Sequence, residues 1–127
     1  MTAPVVLVAE DDEDILRLVE IRLQQDGYDV LCTRNGEEAL RTAAERRPAL
    51  ALLDVQMPKV DGYEVTRRLR ADEATQAMAI IILTASVRDT ELERAFDAGA
   101  NDFLRKPFSP ADLATRVRAA LESAASL

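Results

Sequence analysis

Five short apolar runs, rich in leucine and β-branched residues, alternate along this chain with segments whose apolar residues recur at helical spacing. The runs cover residues 5–9, 28–33, 50–54, 80–83 and 102–105. Strict alternation leaves few topologies. Successive strands must run parallel, joined by right-handed crossovers, with helices on both faces of one sheet. Leu50-Ala51-Leu52-Leu53 has no polar break, as expected of a strand buried on both faces. The expected architecture is a doubly wound (βα)5 α/β sandwich around a five-stranded parallel sheet.

Periodicity also assigns the inward faces. In the first helix Ile15, Leu18 and Val19 recur, Leu16 and Leu23 widen the apolar face, and Asp26-Gly27 provides a glycine stop. The second helix (38–46) turns Ala39, Leu40 and Ala43 inward, the third (62–70) Val65 and Leu69. The fourth (89–98) turns Leu92, Ala95 and Phe96 inward and stops at Gly99. Ser109-Pro110 is a serine N-cap followed by proline at the first helical position, and Leu113, Val117 and Leu121 line the helix it opens. Asp12 and Asp14 suit a helix start. Arg67, Arg68 and Arg70 read as a solvated face. Met57-Pro58 reads as a turn, and Gly62 as a close helix–strand approach.

The 127 residues suit one domain, and 48% apolar residues supply its core. No apolar run approaches the roughly 20 residues of a membrane span. The start Met1-Thr2-Ala3-Pro4 lacks the basic and apolar regions of a secretory signal, so no membrane partner and a cytoplasmic location are expected. Cys32 is the only cysteine and lies in an apolar run, where it reads as a buried, inert thiol. A net charge of −7 argues against direct nucleic-acid binding, which is driven mainly by Lys and Arg on phosphates. There is no histidine. That excludes Ser-His-Asp and Cys-His catalysis within the chain, disfavours zinc, and means the chain is not itself a phosphohistidine donor. Carboxylate and hard-metal chemistry remains.

In an open parallel sheet the carboxyl ends of all strands share one edge, where such folds bind ligands. The strand ends carry Glu10 and Asp11, then Asp54, Thr84 and Lys106. Crowded carboxylates repel one another, and a hard divalent cation such as Mg²⁺ relieves this. A cation and an ammonium beside one carboxylate form a receptor for phosphoryl oxygens. Asp54 is then the nucleophile that becomes an aspartyl phosphate, with Thr84 a hydroxyl donor to the new oxygens.

The chain resembles the receiver domains of bacterial two-component response regulators, including the chemotaxis-regulator-like ones, over essentially its full length. The resemblance rests on Val8-Ala9-Glu10-Asp11-Asp12-Glu13-Asp14-Ile15, Leu53-Asp54-Val55-Gln56-Met57-Pro58 with Asp61-Gly62, Leu83-Thr84-Ala85, Gly99-Ala100-Asn101-Asp102-Phe103 and Lys106-Pro107-Phe108. It implies a flavodoxin-like strand order 2-1-3-4-5, a receiver domain over residues 4–123 and a frayed tail over 124–127. It implies that Asp54 accepts a phosphoryl group from a histidine of a sensor kinase or phosphotransfer protein. Asp11, Asp54, the main-chain carbonyl of Gln56 and, largely through water, Glu10 hold Mg²⁺. Thr84 and Lys106 bind the phosphoryl oxygens, Lys106-Pro107 is a cis peptide, and Phe103 is the aromatic that turns inward as Thr84 closes. Such a chain is a switch, catalysing only its own phosphotransfer and slow dephosphorylation. Glu10, Phe103 and Ala79 stand where Asp, Tyr and a proline are commoner in the family. Phe103 therefore has no hydroxyl to bond at the surface when its ring is outward.

The signal is expected to leave through the fourth helix, fifth strand and fifth helix. Their mixed charges, among them Glu91, Arg94, Asp102, Asp112 and Arg116, suit either a two-fold homodimer contact made on phosphorylation or a plain solvated surface. The recipient is an effector domain or a downstream protein. Three rival functions share the fold class. A Mg²⁺-dependent phosphohydrolase usually has a second acid two residues after the nucleophile, where this chain has Gln56. A flavin binder needs a phosphate-cradling loop where this chain has Glu10-Asp11-Asp12. An unphosphorylated interaction module has no need of all five edge residues.

Overall fold

In the computed structural model, which describes residues 3–86 and 88–125, each apolar run becomes a strand and each periodic segment a helix. The order is β1 (Val5–Ala9), α1 (Glu13–Gln25), β2 (Asp29–Thr33), α2 (Gly36–Arg46), β3 (Leu50–Asp54), α3 (Gly62–Ala71), β4 (Ala79–Thr84), α4 (Asp89–Ala98), β5 (Asp102–Arg105) and α5 (Pro110–Ala125). All pairings are parallel and the strand order is β2-β1-β3-β4-β5. This is the flavodoxin-like receiver topology. α5 runs to Ala125, into the stretch expected to fray, and residues 126 and 127 lie outside the described residues.

Side chains alternate across the sheet and feed two separate cores. Leu7, Ala51, Leu53, Ile80 and Ile82 meet α2, α3 and α4 through residues such as Ala39, Val65, Leu69 and Ala95. Val8, Leu50, Leu52, Ile81 and Leu83 meet α1 and α5 through Leu16, Val19, Leu23, Leu113 and Val117. β3 and β4 are buried along their whole lengths, so the sheet's centre tolerates no polar residue until the carboxyl edge. The helices begin where short polar side chains satisfy their free amides. Asp12 accepts from the Asp14 and Ile15 amides, Asn35 from Glu38, Asp61 from Glu64 and Ser109 from Asp112. Of the two acids expected to cap α1, Asp12 is the cap. Asp14 lies in the first turn, where its charge faces the positive helix end.

Three expectations need correction. Leu18 is 45% exposed and Phe96 47% exposed. α1 carries two adjacent apolar stripes, and the sheet covers Leu16, Val19 and Leu23 instead. α4 meets the core through the small Ala95 and Ala98, which leaves Phe96 edge-on to Phe103 with ring centroids 5.9 Å apart. Arg70 is no solvated residue. Its guanidinium donates to the carbonyls of Gly99, Gln76 and Met78 and to Asn101 Oδ1, tying the end of α3 to the turns before β4 and β5. Arg67 and Arg68 are exposed and pair with Glu64. Cys32 is half-buried and donates to Glu20 Oε2, and burial, with the Glu20 carboxylate, pushes its thiol up to about 12, an unreactive state. Among the described residues no helix is long and apolar enough to cross a membrane.

Candidate functional site

Four strand ends meet at the carboxyl edge. Asp54 closes β3 and Thr84 closes β4, each 5% exposed. Glu10 follows β1, and its amide still bonds to Thr33 of β2, so it is held as if the strand continued. Lys106 follows β5, and its amide bonds to the Thr84 carbonyl at 2.8 Å. The Lys106–Pro107 peptide is cis. Glu10, Asp11, Asp54, Gln56, Thr84 and Lys106 all line one cleft of about 910 Å³. Phe103 is not in its wall. Its half-buried ring packs against the α2/α3/α4 core, and the guanidiniums of Arg105 and Arg116 lie 5.8 Å from its centroid.

The loop after Asp54 is held tightly. The Val55 amide bonds to the Leu83 carbonyl, and the Gly62 amide to the Val55 carbonyl at 3.0 Å. A Cβ on Gly62 would lie 2.4 Å from the Asp54 carbonyl oxygen, so only glycine lets α3 start this close to the strand end. On the other side of the cleft, the Ser86 amide donates to Thr84 Oγ1 at 3.0 Å. That leaves the Thr84 hydroxyl hydrogen free to donate.

Charge dominates the site. Lys106 Nζ is 3.0 Å from Asp54 Oδ1 and 2.8 Å from Glu10 Oε2. Burial raises the Glu10 carboxyl to about 7, and the Asp54 charge adds to this, while the Lys106 ammonium and the Asp12 amide pull the other way. Burial works against the Lys106 charge, but its two carboxylate neighbours outweigh it and its pKa is raised. Lys106 reaches Glu10 Oε2 as an ion pair without hydrogen-bond alignment, so this buried oxygen has no aligned donor. One oxygen each from Glu10, Asp11 and Asp54 lies within 4.8 Å of the others. A buried carboxylate oxygen held by an ion pair without hydrogen-bond alignment, among three hard oxygen donors, fits a hard divalent cation.

The sequence also hid a group on the cleft's outer rim. Tyr63 is 2% exposed, its hydroxyl donates to Glu91 Oε2 at 2.8 Å, and Arg94 lies over its ring at 4.4 Å. Burial, with the Glu91 carboxylate, pushes the phenol up to about 12, so it stays a donor. This ties the first turn of α3 to α4. Partners so far apart along the chain leave no local signal.

The family model for the response regulator receiver domain matches residues 6–118. Among curated relatives, the alkaline phosphatase synthesis transcriptional regulatory protein PhoP of Bacillus subtilis is 40% identical over 116 residues, 91% of this chain and 48% of that protein. The chain spans about half the length of the curated relatives it matches. Among solved structures, a putative response regulator from Chloroflexus aurantiacus superposes with a TM-score of 0.92 at 35% identity, covering 95% of this chain and 99% of that one. The receiver domain of the sensor histidine kinase PA1611 from Pseudomonas aeruginosa, with magnesium coordinated in its active-site cleft, superposes at 0.88 and 33% identity, covering 95% and 99%. The Glu10, Asp11 and Asp54 cluster is consistent with the aspartate phosphorylation by which such domains act as switches rather than as enzymes that turn over a substrate. By family model, sequence and fold, the chain belongs to the response regulator receiver domains of bacterial two-component systems.

Proposed function

We propose that Asp54 is the phosphoacceptor of this switch and takes its phosphoryl group from a histidine of a sensor kinase or phosphotransfer protein. The observation that carries this is Lys106 Nζ, within ion-pair distance of both Asp54 and Glu10 and in the same cleft as Asp11. In the transfer, an Asp54 carboxylate oxygen forms the new O–P bond as the N–P bond of phosphohistidine breaks. The electron pair leaves with the imidazole nitrogen. Asp11, Asp54, the Gln56 carbonyl and, largely through water, Glu10 would hold Mg²⁺, which would supply positive charge to the phosphoryl oxygens. Lys106 takes one such oxygen, releasing part of its hold on Asp54, and the Thr84 hydroxyl donates to another. Gln56 has no acidic side chain to activate water, which favours a long-lived aspartyl phosphate over hydrolysis.

The donor has a surface to dock on. Leu18 and Ile21 are exposed on α1, and Leu18 shares an apolar groove with Ile15, Pro107 and Phe108, reaching Lys106 and Ala85 of the cleft. An apolar helix face of the donor fits there. On the output side, closing Thr84 onto the phosphoryl group draws Phe103 inward and reshapes the α4–β5–α5 face. That face then serves a homodimer, an effector domain or a downstream protein. Arg116 Nη1 pairs with Asp102 within the chain at 3.0 Å, so a dimer using these residues must exchange this bond for one across the two-fold axis. The deciding experiment is incubation with acetyl phosphate and Mg²⁺ followed by intact mass. An adduct that vanishes in Asp54→Ala is expected, and its absence from the wild type refutes the assignment.

A further inference from the structure

α2 supplies no side chain to the phosphoacceptor cleft, yet its first residue is wedged against the loop that does. A Cβ on Gly36 would lie 1.9 Å from the Val60 carbonyl oxygen and 2.7 Å from its carbonyl carbon. Main chain cannot swing aside as a long side chain can, so any side chain at position 36 must displace the Val60 peptide. That peptide belongs to the β3–α3 loop, which begins at Asp54 and carries Gln56. Within it Lys59 has φ +73, and the Val60 amide bonds back to the Pro58 carbonyl at 2.9 Å. A three-residue turn centred on a positive-φ residue with a side chain is strained. Such strain persists only where the surroundings over-determine it.

The surroundings are on the page. Gly36 abuts Val60 from outside, and Glu37 Oε2 stands 3.9 Å from Lys59 Nζ. Met57 is buried, and Val60 packs on the α2/α3/α4 core. Gly62 presses on the Asp54 carbonyl at the other end. Two glycines thus grip one loop, Gly62 beside the phosphoacceptor and Gly36 from a helix that lends the site no group.

We propose that Gly36 is a positioning residue of the phosphoacceptor site: its contact with Val60 holds the Lys59 turn in its strained form and so fixes where the Gln56 carbonyl stands for a divalent cation. The inference rests on the assignment of that carbonyl as a metal ligand in the proposed function. Mg²⁺ affinity is then set by the fit of α2 against the loop as well as by the carboxylates, much as groups behind a ligand shell orient it.

Calorimetric titration with Mg²⁺, paired with melting in EDTA, tests this. Wild type is expected to bind Mg²⁺ and Asp11→Asn to lose it. Gly36→Ala is expected to bind about tenfold or more weakly, in the range for changes behind a ligand shell. Val117→Ala, in the opposite core, is expected to lose stability without losing affinity. Lys59→Gly suits the positive φ and leaves the Gly36–Val60 contact in place, so it is expected to bind Mg²⁺ as wild type does. Wild-type affinity in folded Gly36→Ala overturns the inference. If Gly36→Ala does not fold alone, it is combined with Lys59→Gly, whose freer turn lets the Val60 peptide yield, and wild-type affinity in that folded pair overturns the inference. Absence of Asp11-dependent binding in the wild type overturns the metal assignment itself, and this inference with it.

Discussion

Lys106 Nζ stands 2.8 Å from Oε2 of Glu10, a residue only 1% exposed. The pair forms because β1 and β5 both end at the same sheet edge, on either side of Asp54. Lys106 is therefore shared between two acids, and its ammonium pairs with both. The ammonium offsets part of the repulsion among the carboxylates gathered at this edge.

The same pair predicts how metal-free stability depends on pH. Glu10 is raised from its ordinary 4.5 to about 7 by burial first and by Asp54 next. A carboxyl raised on folding favours the fold in its protonated form, so its contribution is fully present below about pH 4.5 and is lost as pH rises through 7. The shift corresponds to a change on the order of 3 kcal/mol across that window. No histidine titrates there to obscure it. Melting temperature in EDTA is expected to fall between pH 5 and pH 8, and Mg²⁺, which favours the ionised carboxylates, to flatten the decline. Glu10→Gln is expected to remove most of the slope, and an unchanged slope in that variant contradicts the assignment.

Replacing Lys106 by methionine keeps most of its length and removes its charge. Breaking a buried ion pair costs about 3–5 kcal/mol, and partial exposure of Lys106 brings this to about 2 kcal/mol at neutral pH. Because the lost cation also faces the incoming phosphoryl group, uptake from acetyl phosphate is expected to slow by about 10²–10³. Thermal melts and timed intact-mass measurements separate the two effects. If Lys106→Met is phosphorylated at the wild-type rate, Lys106 has no role in the transfer.

Arg70 acts on stability alone. Its four bonds join the end of α3 to the turns leading into β4 and β5, at the sheet edge opposite the cleft. Arg70→Lys keeps the charge but loses the planar fork of donors. The half-buried carbonyls of Gly99 and Met78 then lack their guanidinium donor, as does the exposed one of Gln76, at about 2–4 kcal/mol in all. Denaturant titration is expected to show that loss with Mg²⁺ affinity unchanged. A weakened Mg²⁺ affinity is the result that contradicts this division.

Arg70 also marks where sequence reading fails. The strands were legible because β3 and β4 are apolar until the polar residue that ends them, and the edge constellation followed from which residues came last. Two helix starts were legible through Asp12 and Ser109, whose side chains act within three residues of themselves, and Asn35 and Asp61 cap in the same way without having been read as caps. Arg70 lies in an arginine-rich helix end, and nothing local distinguishes it from Arg67 and Arg68. Tyr63 with Glu91, and Lys106 with Glu10, join residues distant along the chain. Leu18 failed differently. Periodicity finds an apolar stripe, but α1 has two adjacent ones, and only the helix's rotation on the sheet decides which is covered.

The uncovered stripe gives the last prediction. Leu18 is half exposed beside a groove that runs to Lys106. A large apolar side chain left in water in a groove that leads to the reactive cleft suits a partner that brings its phosphohistidine to Asp54. Leu18→Asp makes no core cavity, so stability is expected to change by no more than about 0.5 kcal/mol. Phosphorylation by acetyl phosphate, which needs no docking, is expected to stay at the wild-type rate. Transfer from the cognate histidine donor is expected to fall about tenfold or more, since each factor of ten corresponds to only about 1.4 kcal/mol of binding. Equal losses with both donors place the effect at the cleft rather than at docking, and an unchanged protein-to-protein transfer removes α1 from the interface.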